Sequence, residues 1–293
     1  MDLPELWARK RQAVEQVPGL SFTMGGPGYA EVGGLTHAKA LGAGLFAGPM
    51  PPRCVVRVDE LEKQFAGSQG DTSGIAQDFS SVLLRQMQDF DWSGLIAVGP
   101  PGSGKSLFSR VLGGQFLVPT LEIDLGAAKG SLVGESEANI RNIMRVIHAL
   151  SGDSGAFFIG TCNSITSLPP ELRRRFRYGA WMFDLPTPEE REPIWRLYLS
   201  KFQLEQQEKP EDSLWTGADV YNCCELAYRL RCSLIEASQH LLPVAKSVPE
   251  SIRQLRELAD GRFLSASYAG PYHKPDDSIT PSPVGGRRIE MSS

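Results

Sequence analysis

Several things are scarce in this chain, and each shortage excludes a class of protein. Across 293 residues no apolar run approaches the ~18 residues of a membrane-spanning helix. The stretch Met1–Gly19 holds Lys10, Arg11 and several acids, and it has no apolar core of the secretory type. Positive charge is not in excess. Thirty basic residues stand against 34 acidic ones, a net charge of −4, whereas a chain that coats nucleic acid is usually basic. Cysteine is sparse too. Cys54, Cys162, Cys223, Cys224 and Cys232 are odd in number and lack zinc-ligand spacing, and the four histidines are scattered. Buried, reduced thiols in a cytoplasmic protein without a membrane segment are the expectation.

What is plentiful is glycine and proline, 30 and 21 residues, about 17% of the chain against an average near ~12%. An apolar share of 41% with 22% charged residues belongs to a globular chain, and 293 residues suit one large domain or a core with a satellite.

The pattern along the chain divides it into four segments. Residues 1–52 combine a predicted helix over 4–17, stopped by Pro18-Gly19, with a Gly/Ala-rich stretch that includes Val32-Gly33-Gly34-Leu35. Residues 53–186 alternate strands and helices. Cys54–Val58 reads as a strand ending at Asp59-Glu60, residues 67–74 (GSQGDTSG) as a loop, and Ile75–Asp89 as a helix by its apolar spacing. Strands follow at 95–98, 120–125, 156–160 and 180–185, with helices at 105–112 and 135–150. This alternation implies a parallel sheet covered on both faces.

Residues 187–265 read as a helical subdomain. Thr187-Pro188-Glu189-Glu190 has the residues of a capping box with proline in the first turn. Thr216 and Ser247-Val248-Pro249-Glu250 open later helices in the same way, and Gly261 is a stop. Trp195, Tyr198 and Phe202 recur at helical spacing and are read as core of this subdomain. The Cys223-Cys224 pair on one of its helices is read as buried packing. Residues 266–293 lack periodicity and are expected to be a disordered tail.

The chemistry-bearing motif is Gly99-Pro100-Pro101-Gly102-Ser103-Gly104-Lys105-Ser106, followed by Leu107. It matches the complete P-loop pattern in the right context, after an apolar strand and before a helix. The glycines let successive backbone N–H groups turn inward around phosphates, and the helix N-terminus adds its positive dipole end. Lys105 reaches the β- and γ-phosphates, and the Ser106 hydroxyl holds Mg2+. Such a site also needs an acid for the metal and a group that orients the attacking water. Downstream, Asp124 has no adjacent acid. Upstream, the strand Cys54–Val58 ends in Asp59-Glu60.

Here the chain resembles the AAA+ ATPases over roughly residues 30–270. The resemblance rests on GPPGSGKS, on Gly134-Glu135-Ser136-Glu137 opening a helix, on strand-end Asn163, on Pro169-Pro170-Glu171-Leu172 before the arginines, and on Thr216-Gly217-Ala218-Asp219. It implies an α/β P-loop NTPase fold, a three-layer parallel sheet with a C-terminal helical lid, and ATP with Mg2+ as ligands. The segment from Val58 through DELEKQFAG and GDTSG resembles a Walker B strand and its loop. In the family this segment lies between the GESE helix and the Asn-bearing strand. Here it precedes the P-loop. The usual sheet order is 5-1-4-3-2, and this chain visits the positions as 3, 1, 2, 4, 5. Each displaced crossover runs the same way across the sheet as the one it replaces, so right-handed connections leave the helices on their usual faces.

By the resemblance, Asp59 holds Mg2+, Glu60 polarises the hydrolytic water and Asn163 contacts the γ-phosphate or that water. Arg174 and Arg177 match the arginine fingers that act on a neighbouring subunit's nucleotide, with Arg175 a third candidate in Arg173–Arg177. Gly217 and Ala218 approach the adenine from the lid, and Val32–Leu35 resembles the segment that frames the base. Fingers acting in trans imply a ring, a hexamer in most relatives.

The tripeptide before GESE is Leu132-Val133-Gly134, aliphatic where relatives that thread polypeptide have an aromatic, with Lys129 and Ser131 as generic contacts. No zinc-protease HExxH motif is present, so a self-contained membrane protease is not expected. Three readings follow: an ATPase that remodels a protein partner, an ATPase acting on nucleic acid, disfavoured by the net charge, and a nucleotide-controlled scaffold with slow hydrolysis.

Overall fold

The strands that carry the sheet are the most apolar runs of the sequence. The computed structural model describes residues 10–65, 81, 84–89, 93–128, 135–168 and 170–275. Strand β1 (Leu20–Thr23) is short and half-buried, whereas β2 (Cys54–Val58) and β3 (Ser93–Val98) are buried along nearly their whole length. Strand β4 (Thr120–Ile123) precedes β5 (Ala156–Cys162), which is also wholly buried, then β6 (Ala180–Met182) and β7 (Leu264–Ser265). Continuous apolar runs such as AFFIGTC suit central strands with both faces covered.

All seven strands form one sheet in the order β1-β4-β2-β5-β3-β6-β7. The five central strands, β6-β3-β5-β2-β4, occupy the order expected for 5-1-4-3-2 with strand 3 first in the chain. They are mutually parallel, β7 continues parallel at one edge, and β1 pairs antiparallel with β4 at the other.

Successive side chains of each strand serve two different cores, as the period of two requires. On one face Cys54, Val56, Val58, Ile96, Val98, Phe158 and Cys162 share a cluster with Ile140, Ile143, Met144 and Ile147. Those last four lie on helix α4 (Glu135–Ser151). On the other face Val55, Leu95, Ala97, Phe157 and Ile159 meet Phe108, Val111 and Leu112 of α3 (Lys105–Gln115) and Ala38 of α1 (Thr36–Ala47). The connection β3–α3–β4 and the connection β4–α4–β5 thus cover opposite faces, giving three layers. Each buried Phe, Leu or Ile contributes about 1.5–3 kcal/mol relative to exposure.

The helical lid has its own core. Ile194, Trp195 and Leu199 of α6 (Pro188–Lys201) pack with Val220, Cys223, Cys224 and Ala227 of α7 (Gly217–Leu230) and with Leu234 and Ala237 of α8 (Leu234–Ser238). The capping boxes foreseen at Thr187/Glu190 and Thr216/Asp219 are both present, and Ser233/Glu236 adds a third. Burial pushes the Cys223 and Cys224 thiols up to about 12, away from thiolate chemistry.

Several expectations are corrected. Helix α9 (Pro249–Ala259) is capped by Val248, which has no polar side chain to bond the first turn, while Ser247 ends the preceding turn with its Oγ donating to the Pro243 carbonyl at 3.4 Å. Its Leu255 and Ala259 join the sheet's core, not the lid's. The strand expected at 120–125 stops at Ile123, where Asp124 N–H bonds Gly19 O and its carboxylate accepts from Ala127 N–H. Residues 266–275 are not a loose tail. Ala266 is fully buried, and Tyr272 is buried with its hydroxyl on Asp184 at 2.6 Å. The rest of the expected tail, 276–293, and the loop over 67–74 lie outside the described residues.

Candidate functional site

Parallel strands end together, and here their carboxyl ends converge on one edge. Val58 registers with Gly160, and Val98 with Cys162. Asp59-Glu60, Gly99 and Asn163 therefore leave the sheet side by side, where ligand sites form in open α/β sheets. Gly99 N–H bonds the Cys162 carbonyl directly.

The loop from Gly99 wraps the start of α3. Gly102 and Gly104 have φ of +80° and +93°, the left-handed region that a Cβ disfavours. A Cβ at Gly102 would also meet the Thr216 hydroxyl and Ala218 at the start of α7. Gly104 caps α3 without a side-chain bond, so N–H groups of the first turn are left for a ligand. Ser103 Oγ is buried with no partner among the described residues, a polar atom waiting for one. These features fit a polyphosphate.

Lys105 is 7% exposed, and its ammonium donates to the loop's own Gly99 and Pro100 carbonyls at 2.8 and 2.7 Å. Burial pushes its pKa down to about 8. Glu62, the Cys162 thiol, Asp59 and Glu60 pull the other way, which also places these acids around the ammonium.

The acid side is built by strand β2, helix α2 (Leu61–Phe65) and the end of β5. Thr161 Oγ1 donates to Asp59 Oδ1 at 3.1 Å and accepts from Glu60 N–H at 3.0 Å. Asp59 Oδ2 is ion-paired with Arg57. Glu60 sits at φ +54° with its carboxylate 2.7 Å from Lys63. Asn163 is held from both ends by Glu62, whose Oε1 accepts from its backbone N–H and its side-chain amide, each at 2.9 Å. Arg57, Glu62 and Thr161 were missed in the sequence. Only Glu62, one turn on from Asp59-Glu60, carried a readable signal there.

Above the loop lies a cavity of about 300 Å³. Gly102 to Leu107 form its floor, and Gly217 and Ala218 its lid side, with Ala218 N–H on Gly102 O at 3.3 Å. Val32, Gly33, Gly34 and Leu35 line the same cavity. Gly33 leaves no room for a Cβ against Ile194, and Glu190 Oε1 accepts from Leu35 N–H at 2.9 Å. Trp195, Tyr198 and Phe202 pack in the lid as expected, and Tyr198 in addition lines the cavity. Its ring packs edge-on against Tyr221, which lines the cavity beside it, 5.2 Å between centroids.

The arginines stand apart. Leu172 of α5 (Pro170–Arg175) and Phe176 are buried and anchor the segment, while Arg173, Arg174 and Arg177 face outward. Arg175 is half-buried and donates to Gln88 at 2.7 Å. None of residues 173–177 lines the cavity. Lys129, Ser131, Leu132, Val133, Gly134 and Pro169 lie outside the described residues. Among the described residues no helix is long and apolar enough to cross a membrane.

Residues 95–154 match the family model for AAA, the ATPase family associated with various cellular activities. The AAA domain-containing protein ycf46 of Pyropia yezoensis is 32% identical over 155 residues, 40% of this chain and 32% of that protein. Its namesake in Gracilaria tenuistipitata var. liui is 31% identical over 236 residues, 66% of this chain and 41% of that protein. The chain thus spans less than half the length of these curated relatives. The crystal structure of the FIGL-1 AAA domain is 16% identical, with a TM-score of 0.49 over 85% of this chain and 95% of that one. The P-loop and the strand order are those of an AAA+ P-loop NTPase fold with the β2 segment placed ahead of the P-loop, and residues 95–154 are similar to the AAA family.

Proposed function

We propose that this chain binds ATP with Mg2+ and hydrolyses it, and that it works as a ring, a hexamer by family habit, to remodel a protein partner. The observation that carries the reading is the convergence of Asp59-Glu60, the P-loop and Asn163 at one sheet edge despite their altered order in the chain.

Each residue has a task that its position supports. Backbone N–H groups of the loop and of the first turn of α3 cradle the phosphates. Lys105 leaves the Gly99 and Pro100 carbonyls for the β- and γ-phosphates, exchanging two neutral acceptors for charged ones. Mg2+, when bound, neutralises charge between the phosphates. Ser106 and Asp59 are the groups that would hold it. Glu60 accepts the proton of the attacking water, and Asn163, fixed by Glu62, orients that water. Gly217, Ala218, Tyr198, Tyr221 and Val32–Leu35 enclose the base.

Arg174 and Arg177 face away from their own cavity, which supports action on a neighbour's nucleotide. Light scattering of the full chain, with Glu60→Gln to slow turnover, tests the ring. The reading requires a hexamer in ATP and smaller species in ADP. A monomer in both nucleotides refutes it. Stimulation of turnover by DNA and not by protein would favour the nucleic-acid reading instead. One observation favours the scaffold reading: the Glu60 carboxylate is engaged by Lys63 and must leave it before it can take a proton.

A further inference from the structure

Strand β2 holds one residue that its burial does not explain. Arg57 lies between two apolar neighbours, Val56 and Val58, in register with Glu122 on β4 and Ile159 on β5. Its side chain is 5% exposed, and its Nε has no partner among the described residues. A buried guanidinium with an unsatisfied N–H is costly, and an aliphatic residue of similar volume is often neutral or better at such a position.

The geometry around it is that of a shared cation. Residues 57 and 59 point to the same face of the strand. Arg57 Nη2 is ion-paired with Asp59 Oδ2 and lies 3.4 Å from Glu122 Oε1. A guanidinium that only braced the strand would use its planar fork in two parallel bonds to one carboxylate. Here a single nitrogen stands between two carboxylates while Nε goes unused. The other oxygen of Asp59, Oδ1, is held by Thr161. The oxygen taken by Arg57 is therefore the one left to meet a cation.

Resting on the reading of Asp59 as a metal ligand, we propose that Arg57 is a tethered cation that competes with Mg2+ for Asp59 Oδ2. Glu122, half-exposed on the neighbouring strand, receives the guanidinium when the metal enters. Metal affinity at this site is then lower than Asp59 alone would confer, and Arg57 and Glu122 together set it.

The test is direct binding of Mn2+ to the full chain loaded with a non-hydrolysable ATP analogue, followed by the electron paramagnetic resonance of free Mn2+. Arg57→Met removes the competitor and should tighten Mn2+ about tenfold, the factor that one charge-assisted contact corresponds to. Glu122→Gln removes the second acceptor and should weaken Mn2+ severalfold with Arg57 present, yet change nothing in the Arg57→Met background. Unchanged or weaker binding in Arg57→Met, or no effect of Glu122→Gln, overturns the proposal. Circular dichroism reports folding, and if Arg57→Met does not fold, Glu122→Gln alone decides. Asp59→Asn separates the two layers. If it leaves Mn2+ affinity intact, the reading of Asp59 as ligand fails. If it weakens Mn2+ while Arg57→Met does not tighten it, only the competition fails.

Discussion

Lys105 ties the geometry of the site to a measurable pH dependence. Its ammonium is buried against two carbonyls of its own loop, and burial lowers its pKa to about 8. Phosphate binding needs the charged form. The bound phosphates favour that form, so nucleotide binding must draw in a proton wherever the free protein has lost it. Below pH 8 Lys105 is charged and affinity is level. Above it the charged fraction falls, to about one molecule in ten at pH 9, and the dissociation constant should rise about eightfold between pH 7.5 and 9. Titration of a fluorescent ATP analogue at constant ionic strength reads the slope. Calorimetry in two buffers of different ionisation enthalpy counts the protons taken up. In Lys105→Arg the cation stays charged throughout, so the slope should vanish even if absolute affinity drops. A level wild-type profile, or the same slope in Lys105→Arg, refutes the assignment. The sign for stability follows from the same shift. Unfolded lysine keeps its proton to about pH 10.4, so between pH 8 and that value the unfolded chain holds more protons, and the Lys105 contribution to stability becomes more favourable as pH rises.

Other predictions address the lid and the surface arginines. Trp195 is 1% exposed, with its indole N–H on Asp212 at 2.7 Å, so Trp195→Ala should cost the lid about 3–5 kcal/mol in urea unfolding. Glu190→Ala removes the acceptor of Leu35 N–H (2.9 Å) and Thr187 N–H (3.1 Å). Losing these two charge-assisted bonds should lower stability by about 1.5–3 kcal/mol and weaken nucleotide binding, whereas exposed Glu257→Ala should change neither. Arg174→Ala and Arg177→Ala should leave nucleotide affinity intact and slow turnover on the order of 10³-fold or more for whichever acts as the finger. Loss of affinity in either variant would place that arginine in its own subunit's site instead.

The sheet was legible because its strands are long apolar runs and because right-handed crossovers admit few ways to reinsert the segment Cys54–Glu60. The lid helices were legible from Thr187 and Thr216, whose capping boxes are local chemistry. What escaped depends on contacts distant in sequence. Strand β1 is four residues, LSFT, within a Gly-rich stretch, and it exists only because β4 offers an edge. Helix α1 carries Gly42, a poor helix former. Gly42 is there because a Cβ would strike Tyr29 and Leu112, which no local pattern reports. Ser247 resembled a cap, but it ends the preceding turn, donating to the Pro243 carbonyl, and Val248 takes the cap position. Tyr272 follows a stretch of Gly, Pro and Ser and gave no sign of the Asp184 carboxylate that draws it in. In the site, the P-loop was readable as a contiguous motif. The bridge from Thr161 to Asp59, and the grip of Glu62 on Asn163, each span about a hundred residues and became visible only when β2 and β5 were seen side by side.

The measurement that bears most directly on the central claim is the rate of ATP hydrolysis by Glu60→Gln beside the wild type, with nucleotide affinity measured on the same samples. If the strand ahead of the P-loop supplies the catalytic acid, the variant binds ATP as the wild type does and turns it over slower by about 10²–10⁴-fold, the range for loss of a general base. A variant that binds ATP and hydrolyses it at the wild-type rate contradicts the account.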